Sequence, residues 1–374
     1  MFIDWLSISQ EHPHDLPNLG GVKFLTIDEE TGDVISSKRP KHKHRESFST
    51  SIDIHISGRR IRVDGNPSRV GRLDNLFGFS TIEQCVAVFN KILSEYGLPP
   101  FTKCTEVLLR DGVSGAKAGD LVADGAVIQR IDLTTNFSVG QGNVRPYLRA
   151  VSSQRIGHSI GFLYPNGRTV VWTPEGGGQG GRLQYRKAYE KAAELIKLLR
   201  RIKRQFGEDS DEYRYVVKVR EYCLSEGIVR MEQELKSEYL KREGLAYWGL
   251  FREARFIDIH NEFLALDENL QVTAMDMMTI ADQLFEGGHC KSRQAANATA
   301  ACAHLWMSGH ELDFKKSQTK IYAARLKKIG IVIRNACDTT RFSPVVVRQS
   351  REVVKSSVLI PSWYRRPNHL QIAA

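Results

Sequence analysis

Alternating apolar and polar residues mark several segments in the first half of the chain as strands. The segment 47–70, SFSTSIDIHISGRRIRVDGNPSRV, alternates with a turn at Gly58, and 126–139, AVIQRIDLTTNFSV, repeats the pattern. Such alternation is typical of half-buried antiparallel strands. Between them, TIEQCVAVFNKILSEYG (81–97) has helical apolar spacing, a threonine N-cap signal and a stop at Gly97. The pattern predicts a strand hairpin, a helix and a further strand.

A second group of elements surrounds the glycine-rich stretch 176–181. The sequences RTVVWT and RLQYRKAY on its two sides predict a hairpin with a flexible glycine tip. A helix over 190–206, a polar connection and a strand in GIVRMEQELK (227–236) follow. The glycines precede a strand and no Lys-Ser/Thr pair follows them, which argues against a Walker phosphate loop. This mixture of strands, hairpins and helices predicts an α+β domain built on an antiparallel sheet.

The pattern changes to helices after about residue 250. Segments 273–287, 293–309 and 317–330 carry helical spacing, and the last ends at a glycine before a short apolar strand, IVI. We therefore predict one domain over 1–250 and a mainly helical C-terminal domain over 251–374. The polar face of the last helix consists of Lys320, Arg325, Lys327 and Lys328. With the preceding helix it could form a helix-turn-helix-like unit against DNA, or it is a basic solvent face of a structural domain.

Composition narrows the class of protein. With 41% hydrophobic and 26% charged residues, the chain has the make-up of a soluble globular protein. No apolar run reaches the roughly 18 residues of a membrane span, and the start lacks a secretory signal, so we expect a cytoplasmic protein with no membrane partner. The six cysteines are widely spaced without a CxxC pair, which predicts reduced, mostly buried thiols. The spacing of His289, Cys290, Cys302 and His304 fits no common zinc finger.

Positive charge points to a polyanionic partner. The formal net charge is +10, and the excess is concentrated: residues 186–204 hold eight Lys/Arg and two Glu, and 314–328 hold six Lys/Arg and no acid. Each phosphate that such groups neutralise releases counterions, so nucleic acid is the leading partner. The alternative is a solvated charged surface without a polyanionic ligand.

Three strand-like segments each carry polar groups on one face, because residues i, i+2 and i+4 of a strand point the same way. The three sets are Arg130, Asp132 and Thr134; Tyr185, Lys187 and Tyr189; and Arg230, Glu232 and Glu234. If the strands are neighbours, these faces meet. Two carboxylates can hold Mg²⁺ or Mn²⁺, cationic groups can stabilise charge on phosphate, and a tyrosine oxygen can attack it in line. The alternative is that these are exposed polar faces and packing tyrosines.

Four ordered motifs resemble one family. They are VDGNPSRVGRLDNLFG (63–78), IQRIDLTTNF (128–137), AYEKAAEL (188–195), with Tyr-x-Lys-x-x-Glu-Leu spacing, and VRMEQELKSEYLKREGL (229–245), which contains Val-Arg-x-Glu. In this order they resemble the gene II/X replication initiators of filamentous phages, which are rolling-circle nicking endonucleases. One departure is that the wider class of tyrosine nickases carries a His-hydrophobic-His metal motif, whereas the nearest fragment here is Asp53-Ile54-His55.

The resemblance implies a set of site residues. Tyr189 occupies the position of the nucleophile, with Lys191 and Glu194 at the family spacing; Tyr185 lies outside the motif, although a pair of alternating tyrosines remains an alternative. The other residues that match motif positions are Arg130, Asp132, Arg230 and Glu232. We expect Asp132 and Glu232 to hold the metal, with Glu194 as a weaker candidate. The expected catalytic cations are Arg130, Arg230 and Lys191, and the expected DNA contacts near the site are Arg186 and Lys187.

The resemblance also implies a function. A metal-dependent initiator of this kind nicks one strand of supercoiled double-stranded phage DNA at the origin, keeps the 5′ end as a phosphotyrosine, and later rejoins the displaced single strand. Host helicase and DNA polymerase are implied partners. Two alternatives stay open: a non-catalytic origin-binding regulator, and a relaxase or recombinase that uses the same tyrosine chemistry.

Overall fold

The computed structural model describes residues 1–20, 22–38, 40–45, 51–109, 121–152, 154–174, 181–266, 277–307, 309–334 and 356–366. The strands are β1 Phe2–Glu11, β2 Phe24–Ile27, β3 Val34–Lys38, β4 His42–Arg45, β5 Ser51–Ser57, β6 Arg60–Gly65, β7 Val107–Leu109, β8 Leu121–Ala123, β9 Val127–Ser138, β10 Arg155–Ile156, β11 Ser159–Leu163, β12 Thr169–Pro174, β13 Gln184–Glu190, β14 Ile228–Lys236 and β15 Ser356–Ser357. The helices are α1 Ile82–Glu95, α2 Val144–Val151, α3 Lys191–Phe206, α4 Asp211–Ser225, α5 Ser237–Arg242, α6 Ala254–Leu264, α7 Met277–Glu286, α8 Arg293–Met307 and α9 Ser317–Lys328.

One large antiparallel sheet organises the N-terminal two thirds of the chain. Within the described residues its order is β10-β11-β12-β13-β14-β9-β1-β6-β5-β4, with β15 paired to β9 outside this path. The predicted hairpins are confirmed in β5-β6, where Gly58 has a φ of 58°, and in β12-β13. Strands β13, β14 and β9 are consecutive neighbours, which is the arrangement that brings their polar faces together. The predicted α+β class is confirmed.

The two faces of the central sheet differ in chemistry. Ile131, Leu133 and Met231 are fully buried on one face, and this face packs against α1, α2 and α6. The other face carries the polar residues of β9, β13 and β14, and α3 and α4 cover only its end near Ile228. A polar surface therefore stays accessible beside these two helices.

Helix α1 confirms the predicted capping. The Thr81 side chain accepts a hydrogen bond from the backbone N–H of Gln84, and the Gln84 side chain accepts one from the backbone N–H of Thr81, so a complete capping box starts the helix. Gly97 adopts a φ of 65° just after it, a conformation that glycine takes without steric cost.

Two local predictions were wrong. The polar connection after α3 contains helix α4, whose apolar residues Val216, Val219 and Cys223 are buried on one side while charged residues occupy the rest of its surface. The apolar segment 331–333 is not a strand. Ile331 and Ile333 are buried against the cluster that α7, α8 and α9 form, so their apolar character reflects packing of a loop.

The C-terminal third contributes to more than one core. The three predicted helices are present as α7, α8 and α9 and pack together around Leu284, Ala300 and Leu326. Helix α6 instead packs on the sheet, and residues 356–366 return to it beside α3 and α4. The division at residue 250 stays a prediction. No helix among the described residues is long and apolar enough to cross a membrane.

Candidate functional site

The register of three neighbouring strands builds the site. Lys187 of β13 lies opposite Glu232 of β14, and Glu232 lies opposite Thr134 of β9. Tyr189 lies opposite Arg230 in the same ladder. Because directly opposite residues of an antiparallel pair share a face, these groups converge on the polar side of the sheet.

Glu232 connects the tyrosine and a lysine. The Tyr189 hydroxyl donates to one carboxylate oxygen of Glu232, and Lys187 Nζ forms an ion pair with the other. Burial raises the pKa of Tyr189 well above its ordinary value, and the charge of Glu232 adds to this, against the opposing effect of Arg230. Burial lowers the pKa of Lys187, but Glu232 outweighs it, and the net direction is upward. The resting site therefore holds a protonated phenol beside a charged ammonium group.

Asp132 is held by a bidentate arginine. Arg130 donates to its two oxygens from Nε at 2.8 Å and Nη2 at 2.7 Å, and also lies 3.1 Å from a carboxylate oxygen of Glu234. Burial raises the pKa of Asp132 to about 6; Arg130 opposes this and the nearby acids Glu232 and Glu234 add to it. Asp132 thus lies beside other negatively charged groups, and Arg130 offsets their effect on its pKa only in part.

Arg230 lies underneath the site. Its fully buried guanidinium donates from Nε to Asn136 Oδ1 at 2.9 Å and from Nη2 to the backbone oxygens of Asn75 and Leu76 at 2.5 and 3.1 Å. Its Nη1 makes no hydrogen bond with the described residues and lies 4.0 Å from Glu232 Oε1. Arg230 therefore acts on the site through its charge and through the loop that it holds.

Lys191 has a similar buried position. Its Nζ donates to Asn75 Oδ1 at 3.0 Å and to Glu194 at 2.5 Å. Burial and the nearby Arg230 lower the pKa of Lys191. Burial raises the pKa of Glu194, but Lys191 and Arg230 outweigh it and bring the pKa to about 2. Glu194 is consequently ionised throughout the neutral range.

Two site residues escaped the sequence reasoning. Asp4 of β1 accepts hydrogen bonds from Asn75 Nδ2 at 2.6 Å and Asn66 Nδ2 at 2.9 Å, and its other oxygen lies 3.8 Å from Arg230 Nη1. Asn75 belongs to the motif segment 63–78 but was not singled out. The alternation in FIDWLSIS was a usable signal for a strand, and Asp4 is its one acid.

These groups border an open cleft of ≈ 720 Å³. Of the predicted residues, Arg130, Asp132, Lys187, Tyr189, Glu194 and Glu232 line it. Arg230 and Lys191 lie beneath its surface. Tyr185 is on the same strand face but does not line the cleft, and burial raises its pKa, with Tyr164 adding to this. The Tyr189 phenol thus faces a cleft that Asp132 and Glu232 share.

Arg186 points to the other side of the sheet. Its guanidinium carbon lies 6.0 Å from the centre of the Phe263 ring on α6, and burial lowers its pKa. A contact between Arg186 and DNA stays a prediction, but it is not a contact made in this cleft.

The acids of the cleft suit a divalent metal only if water and a phosphate supply the remaining ligands. In the part of the chain that the structure describes, no group of three or more His, Cys, Asp or Glu side chains is placed to hold one ion. Mg²⁺, however, is commonly bound by one or two carboxylates and completes its shell with water and phosphate. Thr134, two residues from Asp132 and opposite Glu232, has a buried hydroxyl without a hydrogen-bond partner among the described residues. The donor set fits such a two-carboxylate site.

The other predicted contacts lie in the C-terminal third. Lys320, Lys327 and Lys328 are exposed on α9, whereas Arg325 is half-buried and its Nη1 lies 3.4 Å from Thr299 Oγ1 on α8. Their contact with DNA stays a prediction.

In the tail, Tyr364 is buried: its hydroxyl donates to Asp74 at 2.7 Å and accepts from Arg72 at 2.6 Å. It is therefore unavailable to a nucleobase. The glycine hairpin tip lies outside the described residues except for Gly181.

Comparisons with known proteins agree with the motifs. Residues 2–254 match the family model for the N-terminal part of the phage replication-associated protein of gene II, and residues 284–370 match the model for its C-terminal part. The chain is 44% identical over 323 residues to the replication-associated protein of this name from Escherichia phage If1, a match that covers 86% of this chain and 99% of that protein. No solved structure gives a significant match. The chain belongs to the gene II family of phage replication-associated proteins.

Proposed function

We propose that this protein initiates rolling-circle replication by nicking one strand of supercoiled double-stranded phage DNA at the origin. The observation that carries the proposal is the Tyr189 hydroxyl in an open cleft, hydrogen-bonded to Glu232 and close to Lys187. The pairing of β13 with β14 thus brings together a nucleophile, a proton acceptor and a cation.

The bonds exchanged follow from this arrangement. Tyr189 Oη attacks the phosphorus and its proton passes along the existing hydrogen bond to Glu232. The bond between phosphorus and the 3′ oxygen breaks, and the leaving oxygen takes a proton from the Lys187 ammonium group or from water. The 5′ end then stays on Tyr189 as a phosphotyrosine and the freed 3′ hydroxyl primes synthesis. In the reverse transfer a 3′ hydroxyl attacks the phosphotyrosine and closes the displaced single strand.

Positive charge has to be supplied near the Tyr189 oxygen, because the raised pKa of Tyr189 disfavours a bare phenolate. Arg130 and Lys187 line the cleft where a phosphate would bind, and Arg230 and Lys191 contribute positive charge from below. Mg²⁺ or Mn²⁺ would be held by Asp132 and Glu232, with Glu194 as a further candidate, and would neutralise charge on the phosphate.

The wider role includes other proteins. We expect supercoiled origin DNA and the displaced single strand as substrates, and host helicase and DNA polymerase in the host cytoplasm as partners. These partners are implied by the family and are separate from the chemistry of the cleft.

A nicking assay with supercoiled origin plasmid and Mg²⁺ tests the proposal. Tyr189→Phe should abolish nicking and leave DNA binding nearly intact, because only the reacting oxygen is lost. Tyr185→Phe is the matched control and should nick normally; Asp132→Asn should require more Mg²⁺. A gel shift without any nicking by the unaltered protein would favour a non-catalytic origin-binding protein instead.

A further inference from the structure

A second groove adjoins the candidate cleft. It measures ≈ 410 Å³ and shares Arg168, Glu190 and Ala193 with the cleft as a common wall. Its other charged side chains are Arg145 of α2 and Arg220 of α4. We name this depression, lined by Arg145, Arg168, Arg220 and Glu190, the arginine groove.

The positive charge of the arginine groove is only partly neutralised by the acidic residue that lines it. Arg168 Nε lies 3.3 Å from Glu190 Oε2, which pairs these two residues. Arg145 is exposed, and neither it nor Arg220 forms an ion pair with another described residue. The Nε of Arg220 is buried without a hydrogen-bond partner among the described residues. Two cationic groups therefore face a groove whose own acid is already engaged.

The arginine groove also has apolar lining. Val144, Ile196 and Leu224 line it together with the arginines. Phosphates would meet the guanidinium groups, and an unpaired base or a sugar would lie against the aliphatic side chains. In a duplex the bases are stacked inside, so the apolar lining would contact nothing complementary. The volume is also at the small end for ligand pockets, so a double helix would contact only the rim of the groove.

We infer that the arginine groove binds the backbone of a single-stranded DNA segment that continues from the phosphate in the cleft. This inference rests on the proposed function, since it gives the route of the strand on one side of Tyr189. Arg168 stands at the junction, so a strand would pass over the Arg168–Glu190 pair from one depression into the other. Arg145 and Arg220 would then each contact a phosphate.

Salt-dependent binding tests the inference without requiring cleavage. The probe is fluorescein-labelled oligothymidylate of twelve nucleotides, and the protein carries Tyr189→Phe so that it stays uncleaved. Fluorescence anisotropy gives Kd at several NaCl concentrations. Adding Arg145→Gln and Arg220→Gln should weaken binding at least about tenfold at low salt. It should also reduce the slope of log K against log salt by about 1.4, since each single-strand phosphate contact contributes about 0.7.

The chain offers a matched control on the same helices. Arg149→Gln on α2 and Arg214→Gln on α4 remove the same charge, but neither residue lines the arginine groove. The inference is overturned if the control pair loses as much affinity, or if the groove pair leaves affinity and slope unchanged. An equal loss with a twelve-base-pair duplex would overturn the assignment to a single strand.

Folding and the proposed function are kept separate in this test. Arg145 is exposed, so Arg145→Gln alone should fold and should lower the slope by about 0.7 if the inference holds. An unchanged slope for this single variant would contradict it. Failure of the unaltered protein to nick origin plasmid would defeat the proposed function, whereas the binding result for the groove variants would remain valid.

Discussion

Glu232 is the residue on which the candidate site depends most. It is nearly fully buried, accepts from Tyr189, pairs with Lys187 and lies 4.0 Å from Arg230 Nη1. A buried carboxylate is stable only with such partners, because an isolated one pays a large desolvation cost. Its charge also holds Lys187 protonated beside the Tyr189 phenol.

Replacing Glu232 by Gln separates its charge from its shape. The amide keeps an acceptor for Tyr189 but cannot take up its proton or balance Lys187. We expect nicking to fall by about 10²–10⁴-fold, the usual worth of a general base. Glu238→Gln, on α5 and outside the cleft, is the control. Equal losses in single-turnover nicking for both variants would contradict a specific role of Glu232.

At the scale of single residues, sequence reasoning succeeded where contacts are local. Alternation along β9, β13 and β14 was enough to place Asp132, Tyr189 and Glu232 on one face once the strands proved to be neighbours. It could not find Asp4 or the role of Asn75, because their contacts join segments about seventy to one hundred and twenty residues apart. The sequence of its motif likewise gave no indication that Arg230 is buried.

At the scale of elements, the tail 356–366 supports the loop that supplies Asn75. Tyr364 donates to Asp74, accepts from Arg72 and receives the backbone N–H of Phe77 at 3.0 Å. Tyr215 of α4 donates to the second oxygen of Asp74 at 3.0 Å. The tail and α4 thus both fix the loop whose backbone oxygens accept hydrogen bonds from Arg230.

Removing the Tyr364 hydroxyl should loosen this loop. Tyr364→Phe removes the hydrogen bonds that the hydroxyl forms with Asp74, Arg72 and the backbone N–H of Phe77, so we expect the free energy of unfolding to fall by about 1–3 kcal/mol. Urea denaturation measures it. Tyr322→Phe on α9, whose hydroxyl makes no hydrogen bond with the described part of the chain, should change little. Equal stabilities of the two variants would show that the Tyr364 network does not stabilise the fold.

Element predictions failed where tertiary contacts decide. Helix α4 carries so many charged residues that its apolar stripe is short, and its stability comes from packing on α3 and the tail. Segment 331–333 has the composition of a strand but pairs with no strand in the part of the chain that the structure describes, and it packs as a loop against α9. Helix α1 and the hairpin at Gly58 were predictable because their capping and turn signals are local.

At the scale of the whole molecule, charge is distributed unevenly. The chain has a formal charge of +10, yet the cleft lining is formally neutral. Its acids are Asp4, Asp132, Glu190, Glu194 and Glu232, and its bases are Arg69, Arg130, Arg168, Lys187 and Lys197. The overall charge attracts a polyanion, but a phosphate inside the cleft adds net negative charge, which favours a cation that arrives with it.

The reduced state of the cysteines gives a prediction for the entire fold. The five cysteines within the described residues are buried and unpaired, and burial raises the pKa of Cys104 to about 11 and of Cys223 to about 12. Because a thiolate is the reactive form, at most about one in a thousand of these two groups is reactive at pH 8.

Iodoacetamide at pH 8 should therefore leave Cys104 and Cys223 unlabelled in the native protein and label them in denaturant. Mass spectrometry of the peptides provides the readout. Rapid native labelling of Cys223 would contradict the packing of α4 against the sheet and α3.

The most direct test of the central claim identifies the residue that carries DNA. After incubation with supercoiled origin plasmid and Mg²⁺, nuclease digestion and trypsin should leave a nucleotide on the peptide AYEK, residues 188–191, which contains Tyr189. Tyr185 falls in a separate peptide, LQYR, residues 183–186. We expect the adduct on AYEK alone; an adduct on LQYR, or nicked plasmid without any attached peptide, would contradict the account.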